Sequence, residues 1–422
     1  MERIAIIGGG VSGLVTARHL SSAAEVVVFE AGARAGGHVN TVAVVEAEQT
    51  LGIDTGFIVY NDRNYPGFST LLDQLGVATQ PSDMSFSVAS TCNGLEYRGT
   101  NLNSLLARRS NALRPSFLRM VADVPRFNRA ARALLFDDDI SLSLEEFLRR
   151  ERFSRPFIDD YLVPLGAAIW SANPHEFAAF PVTSLARFLE QHGLLSLGNR
   201  PAWRTVTGGA QSYVTALIAP LGEQVRTHCA VRLVERDHEG VIVRSDARPD
   251  GERFDRVVFA THADTALTLL ALPTAEEIDV LGAFRFQRNR ATLHTDVGLL
   301  PSRRRAWASW NYRRTSDDRP VPVLTYYANR LQDFTSATDY CITLNADDVI
   351  DPSKAIASFD YTHPTFDEKA LLAQRRHGDI DGRQRTHFVG AYWGYGFHED
   401  GVQSALSVVG KILDVDDVAV VV

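Results

Sequence analysis

The stretch IAIIGGGVSGL, residues 4–14, decides the fold. An apolar run typical of a strand leads into three consecutive glycines and then into a segment with helical character. Its glycines fit the pattern G-x-G-x-x-G, which allows a tight turn, close approach of the backbone to a pyrophosphate, and packing of helix on strand. The stretch therefore predicts a dinucleotide-binding βαβ unit. The residues expected to contact the ligand here are Gly8, Gly10, Val11, Ser12 and Gly13.

A second strand-like run, EVVVFEA at residues 25–31, carries an acid at its end. The carboxylate of Glu30 lies where it can accept hydrogen bonds from ribose hydroxyls, and it would repel a 2′-phosphate. The stretch thus favours NAD or FAD over NADP. A glycine-rich turn without a ligand is the alternative, and the joint presence of strand, helix and acid disfavours it.

Composition excludes several classes of protein. The 422 residues are 45% hydrophobic, which indicates a large buried core, and the net charge of −8 argues against a general nucleic-acid binder. Three cysteines without a CxxC pair indicate a reducing compartment and neither a disulfide framework nor a metal site. The sequence shows no signal-peptide pattern and no apolar run of membrane-spanning length, so we expect a cytoplasmic protein.

The pattern of strands and helices predicts an α/β protein with two discontinuous domains. Strand signals at the N-terminus recur at residues 225–270 and again after residue 385, whereas residues 65–75 and 102–148 have helical character. We expect a dinucleotide-binding domain formed by residues 1–80, 205–285 and 385–422. The remaining residues, 81–204 and 286–384, should form a substrate-binding domain of mixed sheet and helices.

The run EAGARAGGH, residues 30–38, adds an arginine–glycine–glycine element directly after the acid. With this element the N-terminus resembles that of the flavin amine oxidase and phytoene desaturase superfamily, which binds FAD. The segments at 206–222, 229–243, 256–265 and 388–406 resemble further motifs of that superfamily in the expected order. The stretches GIDTGFIVYNDRNYP, QPSDMSFSV and GAYWGYGFHEDGVQSAL are similar to a narrower group, the bacterial predicted NAD/FAD-binding amine oxidase-like proteins.

The resemblance implies a Rossmann-like, GR2-type FAD-binding domain with a parallel sheet. It also implies that Gly401 and Val402 begin a helix whose N-terminus faces the flavin. The further residues that it places at the cofactor are Glu30, Ala31, Arg34, Gly36, Gly37, His38, Thr55, Gly56, Val231, Ala260, Thr261 and Gly390.

Aromatic residues with glycines between them, in the segment 392–398, are candidates to line a dry pocket over the flavin. The candidates for catalysis are Tyr392, Tyr395, His398 and Tyr60, accompanied by Trp393, Phe397 and Asn61 and, less strongly, by Tyr326, Tyr327 and Asn329. The alternative interpretation is that all of these residues belong to the hydrophobic core. For His398 two roles stay open, a proton donor with a pKa near the working pH and a structural histidine. Asp54 and Glu399 are expected to be hydrogen-bonding supports.

In the amine oxidases that the chain resembles, one strand commonly carries a lysine bridged by water to flavin N5, and that strand corresponds here to RNRATLHTDVG, residues 288–298. It contains no lysine, since the chain has only Lys354, Lys369 and Lys411, and His294 is a partial substitute. This departure weakens the match to amine oxidation.

The resemblance implies an FAD-dependent oxidoreductase that transfers hydride between flavin N5 and a hydrophobic substrate such as an unsaturated or modified fatty acyl chain. Its electron acceptor would be a separate carrier or oxygen. The alternatives are an amine oxidase, a flavin-dependent fatty acid isomerase without net redox change, and a flavin-binding partner protein without turnover.

Seven arginines stand among apolar residues between Arg108 and Arg132. This pattern predicts either peripheral contact with an anionic lipid surface or a solvated face of a helix that Pro125 interrupts.

Overall fold

The computed structural model describes residues 1–136, 139–170, 177–196, 198, 200–315 and 323–415. Its strands are β1 Arg3–Ile7, β2 Glu25–Phe29, β3 Thr41–Glu46, β4 Gln49–Asp54, β5 Val59–Asn61, β6 Thr79–Pro81, β7 Phe86–Ser90, β8 Glu96–Arg98, β9 Trp203–Val206, β10 Val225–Arg226, β11 Val231–Arg236, β12 Val241–Ser245, β13 Arg248–Phe254, β14 Arg256–Phe259, β15 Arg285–His294, β16 Trp310–Arg314, β17 Val323–Tyr327, β18 Cys341–Leu344, β19 Ala355–Thr365 and β20 Thr386–Phe388. Its α-helices are α1 Val11–Leu20, α2 Pro66–Gln74, α3 Leu102–Leu105, α4 Pro115–Ala133, α5 Leu144–Arg150, α6 Arg155–Phe157, α7 Val163–Trp170, α8 Val182–Gln191, α9 Gln211–Ile218, α10 Ala263–Leu269, α11 Ala275–Leu281, α12 Ala328–Leu331, α13 Glu368–Gln374, α14 His377–Ile380 and α15 His398–Leu413.

A parallel sheet in the order β10-β2-β1-β14-β20 holds the glycine-rich loop. Strand β1 lies at its centre and pairs with β2 on one side and with β14 on the other, both in parallel register. Its apolar residues are buried because helices cover the sheet, which is why parallel strands carry continuous apolar runs. The strand–loop–helix unit from β1 to α1 and β2 confirms the α/β fold that the sequence predicts.

A second sheet has seven strands in the order β19-β15-β18-β17-β16-β7-β8. All its pairs are antiparallel except β16 with β7. Its strands come from residues 86–98 and 285–365, and helices α3 to α8 come from the segment between 102 and 191. The division of the chain into two domains stays a prediction, and residues 416–422 of the expected FAD-binding domain lie outside the described residues.

In the arginine-rich stretch, Arg109–Leu113 form a 3-10 helix, and the residues from Pro115 on form one helix, α4, that continues through Pro125. The expectation that this proline interrupts the helix is therefore wrong. A proline removes one backbone donor, but Pro125 lies on the exposed face, where water can satisfy the carbonyl that loses its partner. The opposite face, with Phe117, Met120 and Phe127, is buried.

Across the described ranges, no helix combines the length and the apolar character that crossing a lipid bilayer requires.

Candidate functional site

A cavity of about 1180 Å³ is lined by residues of the parallel sheet, of the seven-stranded sheet and of the helical region between residues 102 and 191. Sites for single small molecules usually measure roughly 300–1,000 Å³. The cavity is therefore larger than the usual site for one small molecule. Its lining includes the glycine-rich loop after β1, residues of α7 and the segment before β9.

The glycine-rich loop is shaped by the protein at two positions and left open at a third. Gly8 has φ +111°, and a Cβ there would lie 2.6 Å from the carbonyl oxygen of Ala260. A Cβ on Gly13 would lie 2.0 Å from the carbonyl oxygen of Gly8, so the first turn of α1 can pack against the loop only with glycine. A Cβ on Gly10 would meet nothing within 4 Å, which leaves a cradle on the cavity side.

Helix α1 begins at this cradle without a side-chain cap, because its N-cap residue is Gly10. The unpaired N–H groups of its first turn are the donors that bind phosphate at helix N-termini. Open backbone, unpaired donors and a cavity meet at one place, and these residues fit the pyrophosphate of FAD.

Glu30 joins the two loops that border the cradle. Its Oε2 accepts a hydrogen bond from the Gly9 N–H at 2.9 Å, and its Oε1 accepts one from the Gly32 N–H at 2.7 Å. A carboxylate oxygen can accept more than one hydrogen bond, so Glu30 can hold these loops and still accept from a ribose hydroxyl.

Most of the residues expected at the cofactor line this cavity. They are Gly8, Gly10, Val11, Ser12, Glu30, Ala31, Gly36, Gly37, His38, Gly56, Val231, Ala260, Thr261 and Gly390. Gly13, Arg34, Thr55, Gly401 and Val402 are not among the lining residues.

Arg34 and Thr55 support the cavity wall from behind. The guanidinium of Arg34 donates to the carbonyl oxygens of Val39 and Gly37 and so fixes the arginine–glycine–glycine loop. Thr55 Oγ1 donates to the carbonyl of Asn40 at 3.1 Å and lies 2.9 Å from the hydroxyl of Tyr361. Their contact with the cofactor stays a prediction.

The expectation that Gly401 and Val402 begin the last helix is wrong, because α15 begins at His398. Asp400 Oδ2 accepts a hydrogen bond from the N–H of Phe397, the N-cap residue, at 2.8 Å. The helix therefore starts three residues before Gly401. Gly401 instead lets α15 pack on α1, since a Cβ there would lie 2.8 Å from Ser12 Oγ.

The aromatic segment before α15 lies partly in the cavity wall. Tyr392, Tyr395, Phe397 and His398 line the cavity, as does Tyr326 of β17. Among the other candidates, Trp393, Asn61, Tyr327 and Asn329 do not line it.

Tyr60, a candidate for catalysis, does not line the cavity. Its ring is buried and packs edge-on against Phe68 at 5.4 Å and Tyr65 at 6.4 Å between ring centroids. The structure therefore places Tyr60 in the core beneath α2, away from a bound substrate.

His398 is held rigidly in the cavity wall. Its ring stacks on Phe57 with 3.6 Å between centroids, and its Nε2 lies 2.8 Å from the hydroxyl of Tyr213. Burial lowers the pKa of His398 to about 3. The imidazole is therefore neutral at ordinary pH, and the role of a proton donor with a pKa near the working pH does not fit this site.

Replacing His398 by glutamine should change how stability depends on pH. At neutral pH we expect the variant to be less stable by about 1–2 kcal/mol, because the hydrogen bond to Tyr213 is weakened and the stacking on Phe57 is lost. In the unfolded wild type His398 has its ordinary pKa and binds a proton in mild acid, whereas in the folded protein it stays neutral. Acid therefore lowers the free energy of unfolding of the wild type. The difference in the free energy of unfolding between the wild type and His398→Gln should therefore narrow by roughly 1.4 kcal/mol per pH unit below about pH 6.5.

Urea denaturation of both proteins across this pH range measures the effect. His238→Gln on an exposed hairpin turn is the matched control for the substitution. A difference between wild type and His398→Gln that stays constant down to acid pH would contradict the neutral state of His398.

Three further histidines surround the middle of the cavity. The ring of His38 lies 5.2 Å from that of His363 and 6.3 Å from that of His262, and all three line the cavity. Burial lowers the pKa of His38 well below its usual value, that of His363 to about 4, and that of His262 in the same direction. The three imidazoles are neutral, and together they are not arranged as a metal site among the described residues.

A hydrogen-bond chain fixes the tautomer of His363. Asn289 Oδ1 accepts from Gln287 Nε2 at 3.1 Å and from Asn345 Nδ2 at 2.8 Å, which orients its amide. Asn289 Nδ2 therefore faces His363 Nδ1, at 2.9 Å, as the donor. The proton of His363 then lies on Nε2, the ring nitrogen left for the cavity.

The sequence analysis missed His262 and His363. His262 directly follows Thr261, shortly after the end of β14. The motif at residues 256–265, which indicated Thr261, could therefore also have indicated His262. His363 lies on β19, and only the antiparallel pairing of β15 with β19 brings it beside Asn289.

The strand where the resemblance places the lysine is β15, and His294 at its end does not line the cavity. His294 Nε2 lies 2.7 Å from Thr343 Oγ1, and its Nδ1 accepts from the Asp296 N–H at 3.0 Å. His294 thus does not replace a lysine at the flavin. The chain's three lysines are all described, and none lines the cavity.

Two buried carboxylates hold backbone groups around the cavity, as expected. Glu399 accepts from the N–H groups of Gly67 and Phe68 at 2.9 and 2.8 Å and so caps α2 from another part of the chain. Asp54 accepts from the Ala210 N–H at 3.0 Å, at the start of α9, and from Gln332 Nε2 at 3.1 Å.

The flavin containing amine oxidoreductase family matches residues 11–295 of this chain. A Mycobacterium tuberculosis protein, AofH, whose name describes a flavin-containing monoamine oxidase, is 27% identical over 292 residues, which cover 66% of this chain and 58% of AofH. The chain thus spans less than two thirds of the length of this relative.

Two solved structures share the fold over nearly their whole length. Putrescine oxidase bound to putrescine has a TM-score of 0.69 at 15% identity, with 98% of this chain and 99% of that chain covered. A CLA-producing fatty acid isomerase from P. acnes has a TM-score of 0.68 at 15% identity, with 97% and 98% covered.

Proposed function

Because this chain belongs to the flavin containing amine oxidoreductase family, we propose that it is an FAD-dependent oxidoreductase that acts on a hydrophobic substrate. The substrate proposed is an unsaturated or modified fatty acyl chain, which would exchange hydride with flavin N5. One observation carries the proposal: a single cavity joins the phosphate-binding loop to a wall made largely of aromatic and aliphatic residues. The family implies the flavin cofactor, and the geometry of the glycine-rich loop fits FAD.

The residues of the chain have distinct roles in this proposal. The N–H groups at the start of α1 bind the pyrophosphate, and Glu30 binds the ribose. The neutral imidazole of His363 offers its Nε2–H to the bound cofactor or substrate. Tyr392, Tyr395 and Phe397 exclude water from the reacting atoms. FAD, when bound, supplies the hydride chemistry that protein side chains lack.

The two carboxylates of the cavity wall accept hydrogen bonds from the protein itself. They are Glu30, which binds two backbone N–H groups, and Asp83, whose Oδ1 accepts from the Ser85 N–H and from Ser309 Oγ at 2.7 and 3.1 Å. Both carboxylates thus already hold N–H or O–H groups of the protein, although neither forms an ion pair with a described residue.

Amine oxidation is the second candidate, and the names of AofH and of putrescine oxidase support it. The absence of lysine from the cavity wall is an observation against it. A fatty acid isomerase without net redox change is a third candidate, supported by the name of the P. acnes structure. A flavin-binding protein without turnover is the remaining alternative.

The absorption spectrum of the purified holoprotein, recorded without oxygen before and after adding oleate, tests the proposal. We expect the flavin bands to bleach. Bleaching by amines with release of hydrogen peroxide in air would show an amine oxidase. If oleate is rearranged while the flavin spectrum stays unchanged, the protein is an isomerase. If neither oleate nor amines change the spectrum or are converted, the protein binds flavin without turnover.

The exposed face of α4 and its flanks supports a further proposal, contact with an anionic membrane. We define the arginine–leucine surface as Leu113, Leu118, Arg119, Arg129 and Phe136. The side chains of Leu113 and Phe136 are 85% and 95% exposed, and Arg119 and Arg129 make no ion pair with a described residue. Between residues 108 and 132 the sequence has seven arginines and one acid, although the whole chain carries a net charge of −8.

Flotation with phosphatidylglycerol vesicles at low salt tests this contact. We expect the protein to float, and we expect the double variant Arg119→Gln/Arg129→Gln to bind roughly tenfold or more weakly. Arg305→Gln, which removes an exposed charge elsewhere, is the matched control. Equal flotation of the three proteins would contradict the proposed surface, as would the absence of flotation in the wild type.

A further inference from the structure

One cation in the cavity wall, the exposed side chain of Arg200, has no partner within the part of the chain that the structure describes. Arg200, in the segment before β9, lines the cavity and makes neither an ion pair nor a hydrogen bond with a residue that the structure describes. The other arginine of the lining, Arg232, is paired with Asp246 at 2.7 Å. Among the described lining residues, Arg200 is thus the one cation without an anionic partner, and the two acids, Glu30 and Asp83, are held by neutral N–H and O–H donors.

The hydroxyl of Tyr161 lies in the same part of the cavity wall. Tyr161 belongs to a π-helical turn, Ile158–Leu162, between α6 and α7, and such turns are frequent at functional sites. Burial raises the pKa of Tyr161, and the nearby charge of Arg200 opposes part of that rise. The hydroxyl is therefore protonated and can donate.

The neighbouring polar groups of this turn are all engaged. Asp160 Oδ1 accepts from Arg314 Nη1 at 2.7 Å, and the Asp160 carbonyl accepts from the hydroxyl of Tyr97 at 2.7 Å. The hydroxyl of Tyr161 makes no hydrogen bond with any described residue, and its ring contacts Phe157 with 5.5 Å between centroids. Within the described ranges, the hydroxyl of Tyr161 thus remains a free donor on a half-buried residue that lines the cavity.

An apolar wall leads from Tyr161 to the aromatic segment before α15. Leu165, Ala168, Ile169 and Trp170 of α7 line the cavity one after another. Trp170 Nε1 donates to the carbonyl of Tyr395 at 3.3 Å, so the far end of α7 lies at the aromatic segment. At 1.5 Å per residue, the path from Tyr161 to Trp170 is about 13 Å long.

We propose that Arg200 and Tyr161 bind the carboxylate of a long aliphatic acid whose chain lies along α7 towards Tyr395. The inference rests on the proposed function and names the head group of its substrate. A guanidinium and a phenolic hydroxyl provide the charge-assisted hydrogen bonds that a carboxylate accepts, and an alcohol or an ester of the same chain would lack the charge. The subsite would set which end of the substrate stays far from the flavin.

Binding of oleate and of oleyl alcohol to the oxidised holoprotein, below the micellar range, tests the subsite. Quenching of tryptophan fluorescence reports occupancy without turnover, since Trp170, Trp203 and Trp310 line the cavity. We expect wild type to prefer oleate. Arg200→Gln should weaken oleate binding by roughly ten- to a hundredfold and leave oleyl alcohol binding unchanged.

Three variants sharpen the test. Tyr161→Phe should weaken oleate binding by roughly threefold to tenfold, because it removes one hydrogen bond and keeps the ring. Arg200→Lys should keep part of the preference for oleate, since it retains the charge. Arg305→Gln, which removes an exposed arginine outside the cavity, should bind both ligands as the wild type does.

The outcomes separate the subsite from the proposed function. If Arg200→Gln keeps the full preference for oleate, the subsite is overturned while an aliphatic substrate stands. If wild type binds oleyl alcohol as tightly as oleate, the subsite is likewise overturned. If wild type binds neither ligand, both the subsite and the proposed substrate class fail.

Discussion

Replacing Gly10 by alanine is expected to leave the cofactor-free fold intact and to weaken FAD binding by roughly ten- to a hundredfold, the equivalent of about 1–3 kcal/mol. The reason is that a Cβ at this position meets nothing of the protein within 4 Å, although Gly10 lines the cavity at the start of α1. The added methyl group therefore collides only with a ligand that approaches the backbone. Titration of the cofactor-free protein with FAD, followed by flavin fluorescence, measures the loss.

Two other glycines make this result interpretable. Gly13→Ala should lower both FAD binding and the melting temperature of the cofactor-free protein, because its Cβ would lie 2.0 Å from the carbonyl oxygen of Gly8. Gly378→Ala on α14 also has open space at its Cβ and should change neither quantity. FAD binding by Gly10→Ala at the strength of the wild type would show that the pyrophosphate does not approach this loop.

Replacing Arg236 by methionine is expected to lower the free energy of unfolding by about 3–5 kcal/mol. Arg236 and Glu277 form a bidentate ion pair, with Nη1–Oε1 at 2.5 Å and Nη2–Oε2 at 2.9 Å, and their side chains are only 5% and 2% exposed. Removing the arginine leaves the carboxylate of Glu277 buried and uncompensated. The loss is large because α11 is then held less firmly against β11, the strand that begins at Val231 in the cavity wall.

Urea denaturation followed by circular dichroism measures this effect. Arg232→Met is the matched control, since Arg232 stands on the same strand in an exposed pair with Asp246 and should give no measurable change. The double variant Arg236→Met/Glu277→Leu should recover part of the stability, because no unpaired charge is then buried. A single variant as stable as the control would show that the pair contributes little.

The cofactor half of the site could be predicted from the sequence because its signals are local. In residues 4–14 the apolar strand, the glycines and the start of α1 follow one another directly, and each has its effect within a few residues along the chain. Glu30 and the arginine–glycine–glycine loop follow within the same βαβ unit. The structure accordingly places most of the glycines of these loops, together with Glu30, at the cavity.

The catalytic half could be predicted only in part. Tyr392, Tyr395 and His398 were candidates because glycines stand between aromatic residues, and the structure places them in the cavity wall. Tyr60 was a candidate by its position after the GIDTGF segment. Whether the ring on a three-residue strand faces a cavity or the core depends on what packs above it, and here α2 covers the ring.

The sequence by itself determined the α/β fold and the FAD loop, since turn geometry and apolar periodicity are properties of short stretches. The tertiary structure alone decided the charge, partners and exposure of the remaining groups. His363 is neutral and has one fixed tautomer because β19 pairs with β15 and buries it beside Asn289, which is 74 residues away in the chain. Arg200 and Tyr161 share a cavity wall because a π turn and the segment before β9 meet there. Burial and contact between distant residues depend on packing, which no local pattern encodes.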